Sequence, residues 1–178
     1  MLAEATAIAD EWAGLNEVLG SASGDKFRTI AQSFVLQSLL DSANIYMRRL
    51  SGRYILRGQP GNFNIDVVDI MSGGAPRSAN TVSGGESFMV SLALALALCD
   101  ISPRLAVDIL FIDEGFGTLS GQPLVNAVEL LRSLHRSSGR RVGIISHIGE
   151  LKSCIETRIL AEIDARSGTT RLTTGKGE

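Results

Sequence analysis

The spacing of apolar and polar positions changes period several times along this chain, and each change marks an element. Over residues 2–19, Leu2, Ile8, Trp12, Leu15 and Leu19 form a loose helical stripe. Gly20-Ser-Ala-Ser-Gly24 then breaks the pattern like a linker. Asp25 is placed to cap a second helix running to about Leu50, with Phe27, Ile30, Phe34, Leu36, Leu40, Ile45 and Met47 as its expected buried side. Arg48, Arg49 and Arg53 fall near its end, where cations suit the helix dipole; that role outweighs DNA contact.

Residues 54–59 and 64–71 read as two strands around the turn Pro60-Gly61-Asn62, with Ile65, Val67 and Ile70 as the half-buried face. Residues 72–80 read as a polar loop. The rest alternates: a helix over 85–100, a strand over 108–113, a helix over 123–137 closed by Gly139, a strand over 142–146 and a short helix over 148–156. Strands over 158–164 and 170–174 meet around Ser167-Gly168. The pattern is α/β with buried, partly parallel strands.

Composition adds limits. A hydrophobic fraction of 44% and a charged fraction of 20% are those of a globular chain, and a net charge of −2 gives no support for autonomous nucleic-acid binding. Cys99 and Cys154 lack metal-ligand spacing and are expected as reduced, buried thiols. Residues 1–10 lack the basic start of a secretory leader, and the apolar run from Phe88 to Cys99 is shorter than the ~20 residues a bilayer requires. The expectation is a cytoplasmic protein without a membrane span.

Three motifs carry chemistry. In Thr81-Val-Ser-Gly-Gly-Glu-Ser-Phe88, Ser83 and Glu86 have capping-box spacing at the head of a helix. A capping box does not explain two glycines in the first turn, each costing about 1 kcal/mol of helix propensity. Gly84 and Gly85 instead leave bare backbone N–H groups at a positive helix end, suited to a phosphate. The strand Ile109-Leu-Phe-Ile ends in two adjacent acids, Asp113 and Glu114, with the division of labour of phosphoryl transfer: one carboxylate for Mg²⁺, one to orient and deprotonate water. Gly115-Phe-Gly-Thr-Leu-Ser120 follows, a glycine-rich loop suited to a subunit interface. Ser146-His147 ends the next apolar strand, where an α/β fold forms its ligand crevice. His135 reads as a solvated helix residue. No G-x-x-x-x-G-K-[ST] phosphate loop occurs in the 178 residues.

In order and spacing these motifs resemble the SbcC family of SMC-like, ABC-type ATPases. The resemblance rests on Gly24-Asp-Lys-Phe27, Arg53-Tyr54, Thr81-Val-Ser-Gly-Gly-Glu-Ser-Phe88, Ser91-Leu-Ala-Leu-Ala-Leu-Ala97, Asp113-Glu-Gly-Phe-Gly-Thr-Leu119 and Gly143-Ile-Ile-Ser-His147. It implies the C-terminal lobe of a P-loop NTPase head, a mixed sheet flanked by helices. Residues 1–20 would be the stub of a returning coiled-coil helix, and 21–178 the nucleotide-binding lobe. The resemblance also implies ATP and Mg²⁺ as ligands, an N-terminal phosphate-loop lobe to complete the head, and a second head in a homodimer. Ser83, Gly84, Gly85 and Glu86 would then meet the nucleotide of the opposite head. Asp113 would support the metal, Glu114 would be the catalytic base and His147 the switch. Gly117, Thr118 and Ser120 would face the partner head. An SbcD-like metallophosphoesterase would be the nuclease partner, with DNA bound through the full complex.

Ser120 departs from the family pattern, where Asp is usual; a hydroxyl cannot replace a carboxylate in charge pairing. Two other readings compete: a non-catalytic assembly module, disfavoured by the intact Asp113, Glu114 and His147, and an SMC head of the chromosome-structure type. A transporter ATPase is disfavoured because its signature lies on a chain with its own phosphate loop. A sheet meant to continue into another lobe is also expected to leave strand edges and apolar surface exposed.

Overall fold

The computed structural model describes residues 2–21, 23–59, 62–101, 107–164 and 168–176. The expected turn residues Pro60, Gly61 and Ser167 lie outside the described residues. The chain divides into two compact units, Met1–Ala106 and Val107–Glu178.

The first unit opens with α1 (Leu2–Leu19) and α2 (Asp25–Leu50). Asp25 does not cap α2: the N-cap is Gly24, in the left-handed region at φ 69°, and Asp25 is the first helical residue, receiving Arg28 in an ion pair. Only part of the expected apolar side of α2 is buried. Leu40, Ala43, Tyr46, Met47 and Leu50 are buried, whereas Phe27, Phe34 and Ile45 are exposed, Phe34 at 73%. The reason is local: α2 packs on α3 and β1, its buried residues all fall between Leu40 and Leu50, and Phe34 borders an open groove with Leu36, Gln37 and Gly58. On α1 itself, Ile8, Trp12 and Leu15 are likewise exposed.

Strands β1 (Tyr54–Gly58), β2 (Ile65–Asp69) and β3 (Pro76–Ser78) form an antiparallel sheet in that order. The loop expected over 72–80 thus contains β3, whose Pro76–Ser78 pair with Val68–Asp66, and a 3-10 turn over Ala79–Thr81. Val67 is buried on this sheet, while Ile70 falls past the strand and is exposed. Asn44 of α2 stands in for a strand neighbour of β1. Its side-chain oxygen accepts the Leu56 N–H at 2.8 Å and its amide donates to the Leu56 carbonyl at 2.9 Å. Helix α3 (Gly84–Ile101) buries Met89, Val90, Leu92, Ala93, Leu96 and Ala97. On length and composition alone α3 could cross a membrane. It packs along α2, and its Asp100 accepts the Tyr46 hydroxyl.

In the second unit, β4 (Ile109–Asp113) and β5 (Arg141–Ile145) run parallel, with Asp113 opposite Ile145. Helix α4 (Gln122–Ser138) joins them, with Pro123 in its first turn. It ends at Gly139, whose φ of 69° closes the last turn by donating to the His135 carbonyl. Its face Leu124, Ala127, Val128, Leu130, Leu131 and Leu134 is buried. Helix α5 (Gly149–Cys154) leads to an antiparallel ribbon of β6 (Thr157–Ile163) and β7 (Thr170–Lys176). The strands are not buried as expected. Phe111 of β4 is 70% exposed, with Ile109, Ile145, Ile159, Ile163 and Leu172 also open. The described strands form three small sheets, and β4–β5 alone is parallel. Cys99 and Cys154 are free thiols, half-buried rather than buried.

Candidate functional site

The candidate residues fall in two clusters, one in each unit. In the first unit, Ser83 stands before α3 and the capping box forms as its spacing requires. The Ser83 N–H donates to Glu86 Oε2 at 3.0 Å, and the Glu86 N–H approaches Ser83 Oγ at 3.4 Å. Gly84 is exposed and Gly85 half-buried, so the first-turn backbone stays approachable. A positive helix end with uncovered N–H groups is a place for an anion.

Glu86 is more than a cap. Its Oε1 accepts the Tyr54 hydroxyl at 2.5 Å and lies 3.5 Å from Arg77 Nη2. Burial pushes the Glu86 carboxyl up, but the hydrogen bonds from Tyr54 and Ser83 and the charge of Arg77 outweigh it, and the net shift is downward. Burial is also the main reason the Tyr54 hydroxyl is shifted up, followed by its bond to Glu86. Beneath this pair, Arg53 grips the buried Asp69 with Nε at 2.9 Å and Nη2 at 2.6 Å. That grip holds the Asp69 carboxyl far below the usual range. These residues line one open cleft of about 330 Å³ with Ser72 and Ala75.

In the second unit, Asp113 is the last residue of β4 and is exposed. Glu114 follows, and its N–H donates to the Ile145 carbonyl at 2.9 Å, extending the parallel ladder by one bond. Among the described residues it is the one non-glycine with positive φ, at 59°, and Gly115 follows at 89°. This left-handed turn swings the Glu114 side chain off the strand path toward the end of β5. There, His147 Nδ1 lies 3.1 Å from Glu114 Oε2 and 3.2 Å from Oε1. Gly117 and Thr118 form a 3-10 turn, closed by Thr118 Oγ1 on the Gly115 carbonyl at 2.7 Å. Phe116 anchors that turn in the interior, while Gly117, Thr118 and Ser120 are exposed. His135 is exposed on α4, with Nδ1 3.0 Å from the Arg140 carbonyl.

Among the described residues no three His, Cys, Asp or Glu side chains converge on a metal position. A single exposed carboxylate at a strand end suits Mg²⁺, which is held by one or two carboxylates plus phosphate oxygens and water rather than by a protein cage. Local patterning marks Asp113, Glu114 and His147 in the second unit; in the first, Arg53-Tyr54 enters through the family resemblance, but nothing local ties Tyr54 or Arg77 to Glu86. Both act across the fold, and no local spacing announces them.

Among solved structures, one described as "Structural biochemistry of ATP-driven dimerization and DNA stimulated activation of SMC ATPases" superposes with a TM-score of 0.66 at 13% identity, over 82% of this chain and 88% of the other. The Smc head domain of Pyrococcus furiosus superposes with a TM-score of 0.64 at 13% identity, over 86% of this chain and 38% of the other. The fold is therefore that of an SMC ATPase head. Residues 61–133 match the family described as "SbcC/RAD50-like, Walker B motif". The SbcC component of the SbcCD nuclease in Pseudomonas aeruginosa is 43% identical over 149 residues, 83% of this chain and 12% of the relative. Its counterpart in Deinococcus radiodurans is 36% identical over 160 residues, 89% of this chain and 17% of the relative. The chain belongs to the SbcC/RAD50-like family. It spans about an eighth of the Pseudomonas relative's length.

Proposed function

We propose that this chain is the C-terminal half of an SbcC-type ATPase head in a DNA-break-processing exonuclease complex. The observation that carries this reading is the Glu114–His147 pair beside Asp113, built by the parallel register of β4 and β5. In this reading residues 1–20 are the stub of a returning coiled-coil helix, and 21–178 are the lobe itself. The lobe acts with an N-terminal phosphate-loop lobe and a second head, in the cytoplasm, alongside an SbcD-like metallophosphoesterase that cuts DNA.

The mechanism assigns each group a task. Glu114 takes the proton of the attacking water, and His147 fixes the orientation of that carboxylate and feels the γ-phosphate. Asp113 would hold Mg²⁺, which when bound neutralises charge on the phosphate oxygens. Ser83, Gly84 and Gly85 offer hydrogen-bond donors to the γ-phosphate of ATP held by the opposite head, so turnover requires dimerisation. Gly117, Thr118 and Ser120 face that head, with a neutral hydroxyl at Ser120 where a carboxylate is usual.

Mixing this chain with the N-terminal phosphate-loop lobe of an SbcC relative tests the reading. ATP hydrolysis in the mixture, lost with Glu114→Gln, is the expected result. A stable complex that stays silent, or turnover that survives Glu114→Gln, would refute it.

A further inference from the structure

Tyr54 opens β1, 32 residues before Glu86 in sequence, yet its hydroxyl is the donor on Glu86 Oε1. The other carboxylate oxygen accepts the Ser83 N–H. Glu86 is thus a bracket: one oxygen faces the hairpin sheet, the other the signature loop. A capping box alone would fix Ser83 relative to α3 but not relative to the sheet. The hydroxyl adds that second reference point.

Tyr54 is itself held from below. The Arg53 guanidinium lies 5.3 Å from its ring centroid, a cation–π distance. Arg53 cannot wander, because the buried Asp69 binds it by a fork of two nitrogens, and the Asp69 carboxylate also accepts the Met71 N–H at 3.1 Å. Arg77 is no substitute for Tyr54. Its contact to Glu86 is 3.5 Å, and its side chain is 44% exposed against 15% for Glu86. Without the hydroxyl, Glu86 would turn toward Arg77 and solvent, and the bond to Ser83 N–H would loosen.

We propose that Tyr54 is a positioning residue for the signature loop: acting through Glu86, it fixes the orientation in which Ser83 and the first-turn N–H groups of α3 meet a nucleotide phosphate. This rests on the proposed function, in which that phosphate belongs to the opposite head. The step from sheet to loop is a chain of charge-assisted hydrogen bonds, each worth more than a neutral one.

The test uses the assembled head with Tyr54→Phe, Glu86→Gln, the double variant and Glu114→Gln as control. Tyr54→Phe is expected to lower kcat and ATP-driven head dimerisation about tenfold, the size of one charge-assisted hydrogen bond. KM and nucleotide affinity of a single head stay unchanged, because the cis nucleotide never touches this loop. The double variant is expected to lose no more than Glu86→Gln alone, since both act through one carboxylate. A Tyr54→Phe protein with wild-type kcat and dimerisation overturns the inference, as does a double variant whose losses multiply or a fall in single-head nucleotide affinity. If Tyr54→Phe lowers the folded fraction, Glu86→Gln carries the same readouts. A wild-type head that is silent, or one indifferent to Glu114→Gln, removes the proposed function and this role with it. Amide exchange at Ser83, faster in Tyr54→Phe than in wild type, separates the structural link from either failure; unchanged exchange would overturn the link itself.

Discussion

His147 Nδ1 lies 3.1 Å from one carboxylate oxygen of Glu114 and 3.2 Å from the other, although 33 residues separate the two side chains in sequence. The parallel register of β4 and β5 creates the meeting, and the Glu114 N–H bond to the Ile145 carbonyl fixes its height. The His147 side chain is 81% exposed and Glu114 50%, so the pair faces outward rather than into the core. A contact this exposed contributes little stability, and under the proposed function its use is chemical. In the assembled head, Glu114→Gln is expected to cut turnover by at least about 100-fold while leaving ATP binding and dimerisation intact. Steady-state hydrolysis paired with nucleotide titration checks this, and unchanged turnover would remove Glu114 as the base.

Glu114 also holds a backbone conformation that a glycine would adopt freely, at φ 59°. Such a position costs a non-glycine residue roughly 1 kcal/mol. Glu114→Gly is therefore expected to raise the melting temperature of the isolated chain, whereas Glu114→Gln leaves it unchanged. Under the proposed function both variants are expected to lose turnover in the assembled head. A Glu114→Gly chain that melts below wild type would show that the turn is not strained.

Much of this site is legible without the fold. Ser83–Glu86, Asp113-Glu114 and Ser146-His147 are contiguous or capping-spaced, so local rules find them. The α/β order of the second unit follows from the apolar runs and Gly139. The hidden part has two causes. Tyr54 and Arg77 meet Glu86 on α3, and Asp69 meets Arg53 across the hairpin, and only tertiary structure sets those pairings. Phe34 and Phe111 defy the expectation of burial because apolar character is not burial: such faces are buried only where a neighbouring element covers them.

Stability should follow pH on both sides. Asp69 and Glu86 have carboxyls held below their unfolded values, so their contribution is present above about pH 4 and is lost as pH falls through the lowered values. Tyr54 is shifted up, chiefly by burial; its contribution is present below about pH 10 and is lost as pH rises through the raised value. Asp69→Asn should flatten the acid limb of melting temperature against pH, and Tyr54→Phe the alkaline limb. An acid limb unchanged in Asp69→Asn would remove the Arg53–Asp69 clamp as its source.

Asn44 provides a cleaner stability test, away from the candidate chemistry. Its side chain satisfies both backbone groups of Leu56. Asn44→Ala leaves them without those partners beside a buried strand, at a cost of about 2 kcal/mol. Asn44→Asp keeps an acceptor for the N–H but sets a charged oxygen against the Leu56 carbonyl, so it should not rescue. Urea unfolding of the isolated chain measures both, and an Asn44→Ala midpoint equal to wild type would show that water replaces the amide.

The isolated chain should not stay monomeric. Ile109 and Phe111 on β4, Ile145 on β5, Ile159 and Ile163 on β6 and Leu172 on β7 are all exposed, and β4–β5 is a two-stranded ladder with unpaired edges among the described residues. A lone two-stranded pair is marginal in water, and exposed apolar strand faces invite pairing with another chain. Light scattering over a concentration series is expected to show growth in mass, reduced by Phe111→Lys or by Ile159→Thr with Ile163→Thr. Under the proposed function, adding an N-terminal phosphate-loop lobe should suppress it in the wild type by covering these side chains. Monomeric behaviour at every concentration would mean that these side chains are covered in solution. Growth that Phe111→Lys and the β6 pair both leave unchanged would place the sticky surface elsewhere, with the exposed stripe of Ile8, Trp12 and Leu15 on α1 next in line.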